Sequence, residues 1–219
     1  MCLRLVGSEM CIRDSLEKDG FPPIKIRGKK LNFQKVEISS SLSSQFISAI
    51  LLIAPKLTGG LVVELKGKLI SKPYIEMTLS LLNDLGIKTS FNGKSITVGN
   101  IEKIQQKTIN VESDWSSASY WYSIVALSEL AEVKLKDFYK NSIQGDSVLF
   151  KYYKKMGVRT TFLKNKIILT KIKDFVYPKN ISLNLVDCPD IAQTIAVTCF
   201  GLGISCNLNG LQTLSLIHI

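Results

Sequence analysis

Two short tracts put hydroxyl groups where helices should begin: Ser43-Ser44-Gln45-Phe46 and Ser71-Lys72-Pro73-Tyr74. A helix start exposes unpaired backbone N–H groups and the positive end of the helix dipole, so it attracts anions. Serine caps such an end, and its hydroxyl also reaches a bound phosphate. Two of these ends within one stretch, 43–98, predict a pocket for an anionic small molecule. Taken singly, each serine is also an ordinary cap and Tyr74 an ordinary half-buried ring. Further along, Asp187-Cys188-Pro189-Asp190 precedes an apolar run. Asp190 there reads as an N-cap. Cys188 has no histidine beside it to activate it, and reads as a small packing residue. The one histidine, His218, stands next to the last residue, which argues against a histidine base inside a folded site.

The elements that must carry these residues recur. Residues 43–98 match 116–169 in outline, roughly 70 residues on, a longer period than small solenoid repeats use. Ser43-Ser44-Gln45-Phe46 faces Ser116-Ser117-Ala118-Ser119, and apolar helical runs follow, Phe46 to Leu57 and Tyr120 to Leu130. Strands are expected at Leu61 to Leu65 and Val133 to Phe138. Second helices follow, one opening near Pro73, where a missing N–H costs nothing, and one near Ser147, read as its cap. Both should stop at glycine, Gly86 and Gly157, in left-handed caps. Hairpins then turn at Asn92-Gly93 and at Lys164-Asn165. A third unit runs from the strand Ile181 to Leu185, through a helix from Ile191 to about Leu202, to a strand at Ile204 to Leu208. The pattern predicts an α/β protein built of repeated βαβαββ modules. The polar stretch 100–113 reads as a hinge between the first two units, and a cleft there is a common place for a ligand.

Composition limits the partners. At 219 residues with 46% hydrophobic content and no apolar run of membrane length, the chain reads as soluble, with no membrane association. Five cysteines without a Cys-x-x-Cys pair suggest neither a disulfide framework nor a zinc site, so a reducing cytoplasmic setting is expected. The formal charge of +10 would suit nucleic acid, a membrane surface or anionic metabolites. Its lysines are spread along the chain without a basic block or an RNA-binding signature, so most should solvate surfaces and no nucleic acid is expected.

Four ordered tracts together carry a specific resemblance: Ser43-Ser44-Gln45-Phe46, Ser71-Lys72-Pro73-Tyr74, Asp114-x-Ser116-Ser117-Ala118-Ser119-Tyr120 and Pro189-Asp190-x-Ala192-Gln193-Thr194. From about Leu16 to Leu214 the sequence resembles the EPSP synthase family, covering the middle of such an enzyme. The resemblance implies two lobes of βαβαββ modules closing on substrate, with the second lobe truncated here. It implies transfer of an enolpyruvyl group from phosphoenolpyruvate to the 5-hydroxyl of shikimate 3-phosphate, without metal or cofactor, by a complete protein that is a monomer. By motif, Ser43, Ser44 and Ser71 would hold the shikimate phosphate with Tyr74 beside them. Gln45 would contact the shikimate substrate close to the phosphoenolpyruvate. Asp190 would bind the shikimate hydroxyls and take part in proton transfer at the reacting oxygen. Ser116, Ser117 and Ser119 read as caps and packing positions.

The sequence also departs from that family. The family's lysine and arginines near the N-terminus, and its Lys-Glu-Thr-Asp-Arg tract after the position of Leu214, have no counterpart here. The stretches 1–15 and 215–219 fit neither repeat nor family and read as foreign tails, leaving 16–110 as part of a first lobe and 111–214 as part of a second. A chain of this make-up is expected to lack turnover by itself. Two rival readings remain. One is a fragment of the related UDP-N-acetylglucosamine enolpyruvyl transferase, which should lack the Ser-Ser-Gln and Ser-Lys-Pro-Tyr tracts. The other is a non-catalytic anion or nucleic-acid binding module, whose binding would be strongly salt-dependent.

Overall fold

The structure, a computed structural model, describes residues 11–15, 21, 23–28, 31, 33–39, 44–67, 69, 72–103 and 106–211. Ser43, Ser71 and the stretch 215–219 lie outside the described residues. A hairpin of β1 (Cys11–Ser15) and β2 (Ile24–Gly28) comes first. The first full module follows: β3 (Lys35–Ser39), α1 (Ser44–Ile53), β4 (Leu61–Lys66), α2 (Lys72–Asp84), β5 (Thr89–Phe91) and β6 (Ser95–Val98). Its sheet has the order β3-β4-β6-β5, with β3 and β4 parallel and the remaining pairs antiparallel. This is the expected βαβαββ arrangement.

Periodicity explains the elements. In α1 the buried residues are Ile47, Ile50 and Leu51, and in α2 Ile75, Thr78, Leu79 and Leu82, the spacing of one helical face. In β4, Leu61, Val63 and Leu65 alternate inward. Gly86 ends α2 with φ 84°, and its N–H bonds Asn83 O while Ile87 N–H bonds Leu82 O, a Schellman pair that needs the left-handed residue. Gly157 also takes a left-handed φ of 78°, but α4 has already ended at Lys154 with Lys155 as its cap, so this glycine turns the chain into β8 and is not the helix cap expected.

The second half holds α3 (Trp115–Leu127), β7 (Glu132–Lys136), α4 (Leu149–Lys154), β8 (Val158–Phe162) and β9 (Lys166–Lys171), with the sheet ordered β7-β9-β8. Then come β10 (Asn180–Asn184), α5 (Ala192–Gly201) and β11 (Ser205–Asn209), the two strands parallel. Where the first module opens with a strand parallel to its neighbour, the described residues between β6 and α3 form no strand. Ser113 instead ties this stretch to the end of β7, its N–H donating to Asp137 O just past the strand and its hydroxyl to Lys136 O.

Two further local expectations are corrected. The first hairpin turns at Gly93-Lys94, one residue later than Asn92-Gly93. Asn92 N–H pairs with Ser95 O, and the Asn92 side chain accepts from Lys94 and Ser95 N–H, so this asparagine braces the turn from outside. The second turn falls at Lys164-Asn165 as expected, closed by Leu163 N–H to Lys166 O. Ser147 caps nothing, because it lies within a 3-10 turn, Gly145–Val148, that precedes a short α4.

Apolar side chains gather into two separate cores. One includes Ile47, Leu51, Leu61, Val63, Ile75 and Ile96. The other includes Trp115, Tyr122, Leu149, Tyr153, Ile167 and Leu183. The second core buries hydroxyls in pairs, Tyr122 with Thr160 at 2.8 Å and Tyr153 with Thr198 at 2.9 Å, which removes the cost of unpartnered polar groups. Among the described residues no helix is long and apolar enough to cross a membrane.

Strand directions fix where the helices start. β3 is parallel to β4, and β4 and β5 are both antiparallel to β6, so α1 and α2 are both crossovers that run against these strands and alongside each other. Thr78 of α2 donates to Ser48 of α1 at 2.9 Å, which holds the two in register. Ser44 and Tyr74, each one turn earlier, therefore stand at the same end of the module, beyond the carboxyl ends of the strands. By the same reasoning the turn before α4 and the turn before α5 begin at the carboxyl ends of β7 and β10. Ligands of open α/β sheets bind at such ends.

Candidate active site

Tyr74 lies in the first turn of α2, with Pro73 ahead of it in the same turn. Its ring is half-buried and its hydroxyl leaves the first module altogether. It donates to Asp146 Oδ2 at 3.1 Å, with Asp190 Oδ2 at 3.4 Å as a longer alternative acceptor. Burial raises the phenol pKa, and the charges of Asp146 and Asp190 raise it further, so the hydroxyl keeps its proton and serves as a donor. Tyr74 is thereby the point at which the two halves share a hydrogen-bond network.

Asp190 occupies the 3-10 turn Pro189–Ile191 and is exposed. Its expected capping role is not observed. The cap positions of this turn and of α5 are Cys188 and Ile191, and neither helix start receives a side-chain hydrogen bond. The carboxylate is directed at Tyr74 instead, which leaves it open to a ligand. Cys188 is buried, and burial, followed by the charge of Asp146, pushes its thiol up to about 12, so it remains a protonated packing group.

Ser44 opens α1 and Gln45, the second residue of that helix, is exposed at the same end. Ser117 and Ser119 bond within the second half. Ser117 Oγ donates to Asp114 O, and Ser119 pairs in the interior with Thr194 at 3.0 Å. Asp114 is the cap of α3, accepting from Ser116 and Ser117 N–H. Ser116 departs from the expected role, since its hydroxyl donates to Asp146 Oδ2.

Asp146 is the site residue that the sequence reading missed. It is 1% exposed, and its Oδ1 has no hydrogen-bond partner among the described residues. Burial pushes its carboxyl above the usual range, against the lowering effect of Ser116 and Tyr74, with Asp190 and Asp114 adding to the rise. Its neighbours in the chain hold it in place. Gln144 Oε1 accepts from Trp115 N–H at 2.9 Å and Gln144 Nε2 donates to Ser113 O at 2.9 Å. Gly145 fits against both halves: a Cβ there would stand 2.3 Å from Asp187 O and 3.2 Å from Pro73 Cβ. The repeat supplied a signal, because Asp146 lies 72 residues after Tyr74 and so takes Tyr74's place in the second unit.

One end of the molecule thus offers helix N-termini and hydroxyl donors from the first half, and carboxylate acceptors from the second. That combination suits a ligand carrying both an anionic group and hydroxyls.

The fold is found among solved structures. A structure of EPSP synthase from Acinetobacter baumannii superposes with a TM-score of 0.58 at 20% identity, covering 86% of this chain and 43% of that one. Over residues 3–214 the chain also matches the family model of EPSP synthase (3-phosphoshikimate 1-carboxyvinyltransferase), and it belongs to that family. A 3-phosphoshikimate 1-carboxyvinyltransferase of Bacteroides fragilis is 36% identical over 214 residues, which is 98% of this chain and 51% of the relative. One of Histophilus somni is 37% identical over 185 residues, 84% of this chain and 41% of the relative. The chain spans about half the length of the curated relatives it matches.

Proposed function

We propose that the chain forms part of a cytoplasmic shikimate-pathway enzyme of aromatic amino acid biosynthesis, which moves an enolpyruvyl group from phosphoenolpyruvate to shikimate 3-phosphate. Residues 16–110 form part of its first lobe and 111–214 part of its second. Ser43, Ser44 and Ser71 bind the shikimate phosphate, Ser44 from the start of α1. Tyr74 and Gln45 line the same pocket, and Asp190 accepts the ring hydroxyls and handles the proton of the attacking oxygen. The observation that carries this reading is Asp190: free of capping duty, it meets Tyr74 across the halves, opposite the serine-bearing helix ends. The family match over 3–214 favours it over the UDP-N-acetylglucosamine enzyme and over a charge-driven binding module.

By itself the 219-residue chain binds shikimate 3-phosphate weakly and transfers nothing, because most phosphoenolpyruvate ligands of the family have no counterpart in it. Calorimetric titration of the purified chain tests this, together with an assay for released phosphate. Binding that Asp190→Ala weakens about tenfold or more supports the reading. Salt-sensitive binding of nucleic acid with indifference to shikimate 3-phosphate would defeat it.

A further inference from the structure

We infer that Asp146 is a positioning residue for the site, which claims the single proton of the Tyr74 hydroxyl and so leaves the Asp190 carboxylate free for a hydroxylated ligand.

The geometry sets up a competition. A phenol has one proton to donate, and two carboxylates from the second half stand within reach of it. Asp146 Oδ2 is at 3.1 Å and Asp190 Oδ2 at 3.4 Å, so the shorter bond goes to Asp146. Asp146 can keep that proton because water does not compete for it at 1% exposure. The carboxylate also cannot swing away. Ser116 donates to the same Oδ2, and the preceding Gly145 packs so closely that a Cβ there would stand 2.3 Å from Asp187 O and 3.2 Å from Pro73 Cβ. Pro73 is the residue before Tyr74, so one contact sets both the backbone that carries the phenol and the backbone that carries its acceptor. Asp190 is exposed and receives only the longer contact. Without Asp146, the Tyr74 proton would go to Asp190 and occupy the oxygen that a ligand hydroxyl needs.

The effect on ligand rests on the proposed shikimate 3-phosphate site, whereas the hold on Tyr74 does not, and the test separates the two. In the ligand-free 219-residue chain labelled with 13C at tyrosine Cζ, the Tyr74 resonance is the one lost in Tyr74→Phe. Asp146→Asn is expected to displace that resonance. An unmoved resonance overturns the proposal whatever the ligand does. Should Asp146→Asn fail to fold, Ser116→Ala addresses the same Oδ2 from its other donor, and an unmoved Tyr74 resonance there counts equally against it. Titration with shikimate 3-phosphate then reads the consequence. Asp146→Asn is expected to weaken binding about tenfold in the parent, yet less than about twofold when added to Tyr74→Phe, because both act through one hydroxyl. Independent, multiplying losses would overturn the proposal. A parent chain that binds no shikimate 3-phosphate would sink the proposed function, while the Tyr74 resonance would still decide what Asp146 does.

Discussion

The two halves repeat one module but bring opposite chemistry to their shared end. The first half presents Ser44 and the Tyr74 hydroxyl at the starts of α1 and α2. The second presents the Asp146 and Asp190 carboxylates at the starts of two 3-10 turns. At the repeat position where the first unit has Pro73-Tyr74, the second has Gly145-Asp146, and these matched pairs touch each other. A duplicated module therefore supplies a site with both polarities when one copy keeps donors and the other takes acceptors. The second helix shows the accompanying change, since α2 has 13 residues and α4 only six behind its 3-10 turn. The shorter start leaves Asp146 on a turn held by Gln144 instead of a helix face.

The largest expected effect tests whether the halves are separate bodies. Trp115→Ala removes a fully buried ring from the second core, which packs edge-on against Phe138 at 5.1 Å, and should cost about 3–5 kcal/mol by denaturant titration. Amide exchange at Val63 and Ile96, in the first core, should stay slow. Loss of protection there would merge the two cores into one cooperative unit.

Next, Gly145→Ala sets space against backbone freedom. Its Cβ would meet Asp187 O at 2.3 Å, so we expect a loss of about 1–3 kcal/mol and weaker binding of shikimate 3-phosphate. Gly86→Ala meets no atom within 4 Å but must adopt φ 84°, and should cost about 1 kcal/mol with binding unchanged. Equal effects on binding would remove the special standing of the Gly145 contact.

Removing the cap with Asp114→Ala should cost about 1 kcal/mol, read from the melting midpoint, because Ser116 and Ser117 N–H lose their acceptor.

The smallest effect concerns pH. The groups facing Asp146 are Tyr74 and Ser116, with Asp190, Asp114 and the Cys188 thiol nearby. Its folded pKa lies above the ordinary 3.8, so the folded state holds this proton more tightly than the unfolded state. Stability from this group is therefore full below about pH 4 and declines as pH rises through the folded pKa. Asp146→Asn should melt above the parent at pH 7, with the two converging toward pH 4. A variant that melts lower throughout would mean that the ionised carboxylate stabilises the fold.

Much of the fold was legible because local rules decided it. Gly86 stops α2 at the left-handed position expected of it, and β4 spans the expected strand Leu61 to Leu65. The placement of Ser44 and Tyr74 at helix starts was legible as well. The misses came where tertiary contact outweighed local preference. Asp190 stands where a cap would, yet its carboxylate caps neither helix start and lies 3.4 Å from the Tyr74 hydroxyl, 116 residues away in sequence. Asp146 sits in a polar stretch that reads as loop, and its role depends on burial between elements that no local window contains. The hairpin at Gly93-Lys94 was misplaced by one residue because Asn92 works through its side chain.

The two cores also set an order in time. The first is assembled from residues 31–101 and the second from residues 115–211, with no exchange between them. During synthesis the first can close while the second is still being translated, without waiting for a distant strand. The phenol of Tyr74 can then be in place before Asp146 leaves the ribosome, and the bond between them waits for the second half.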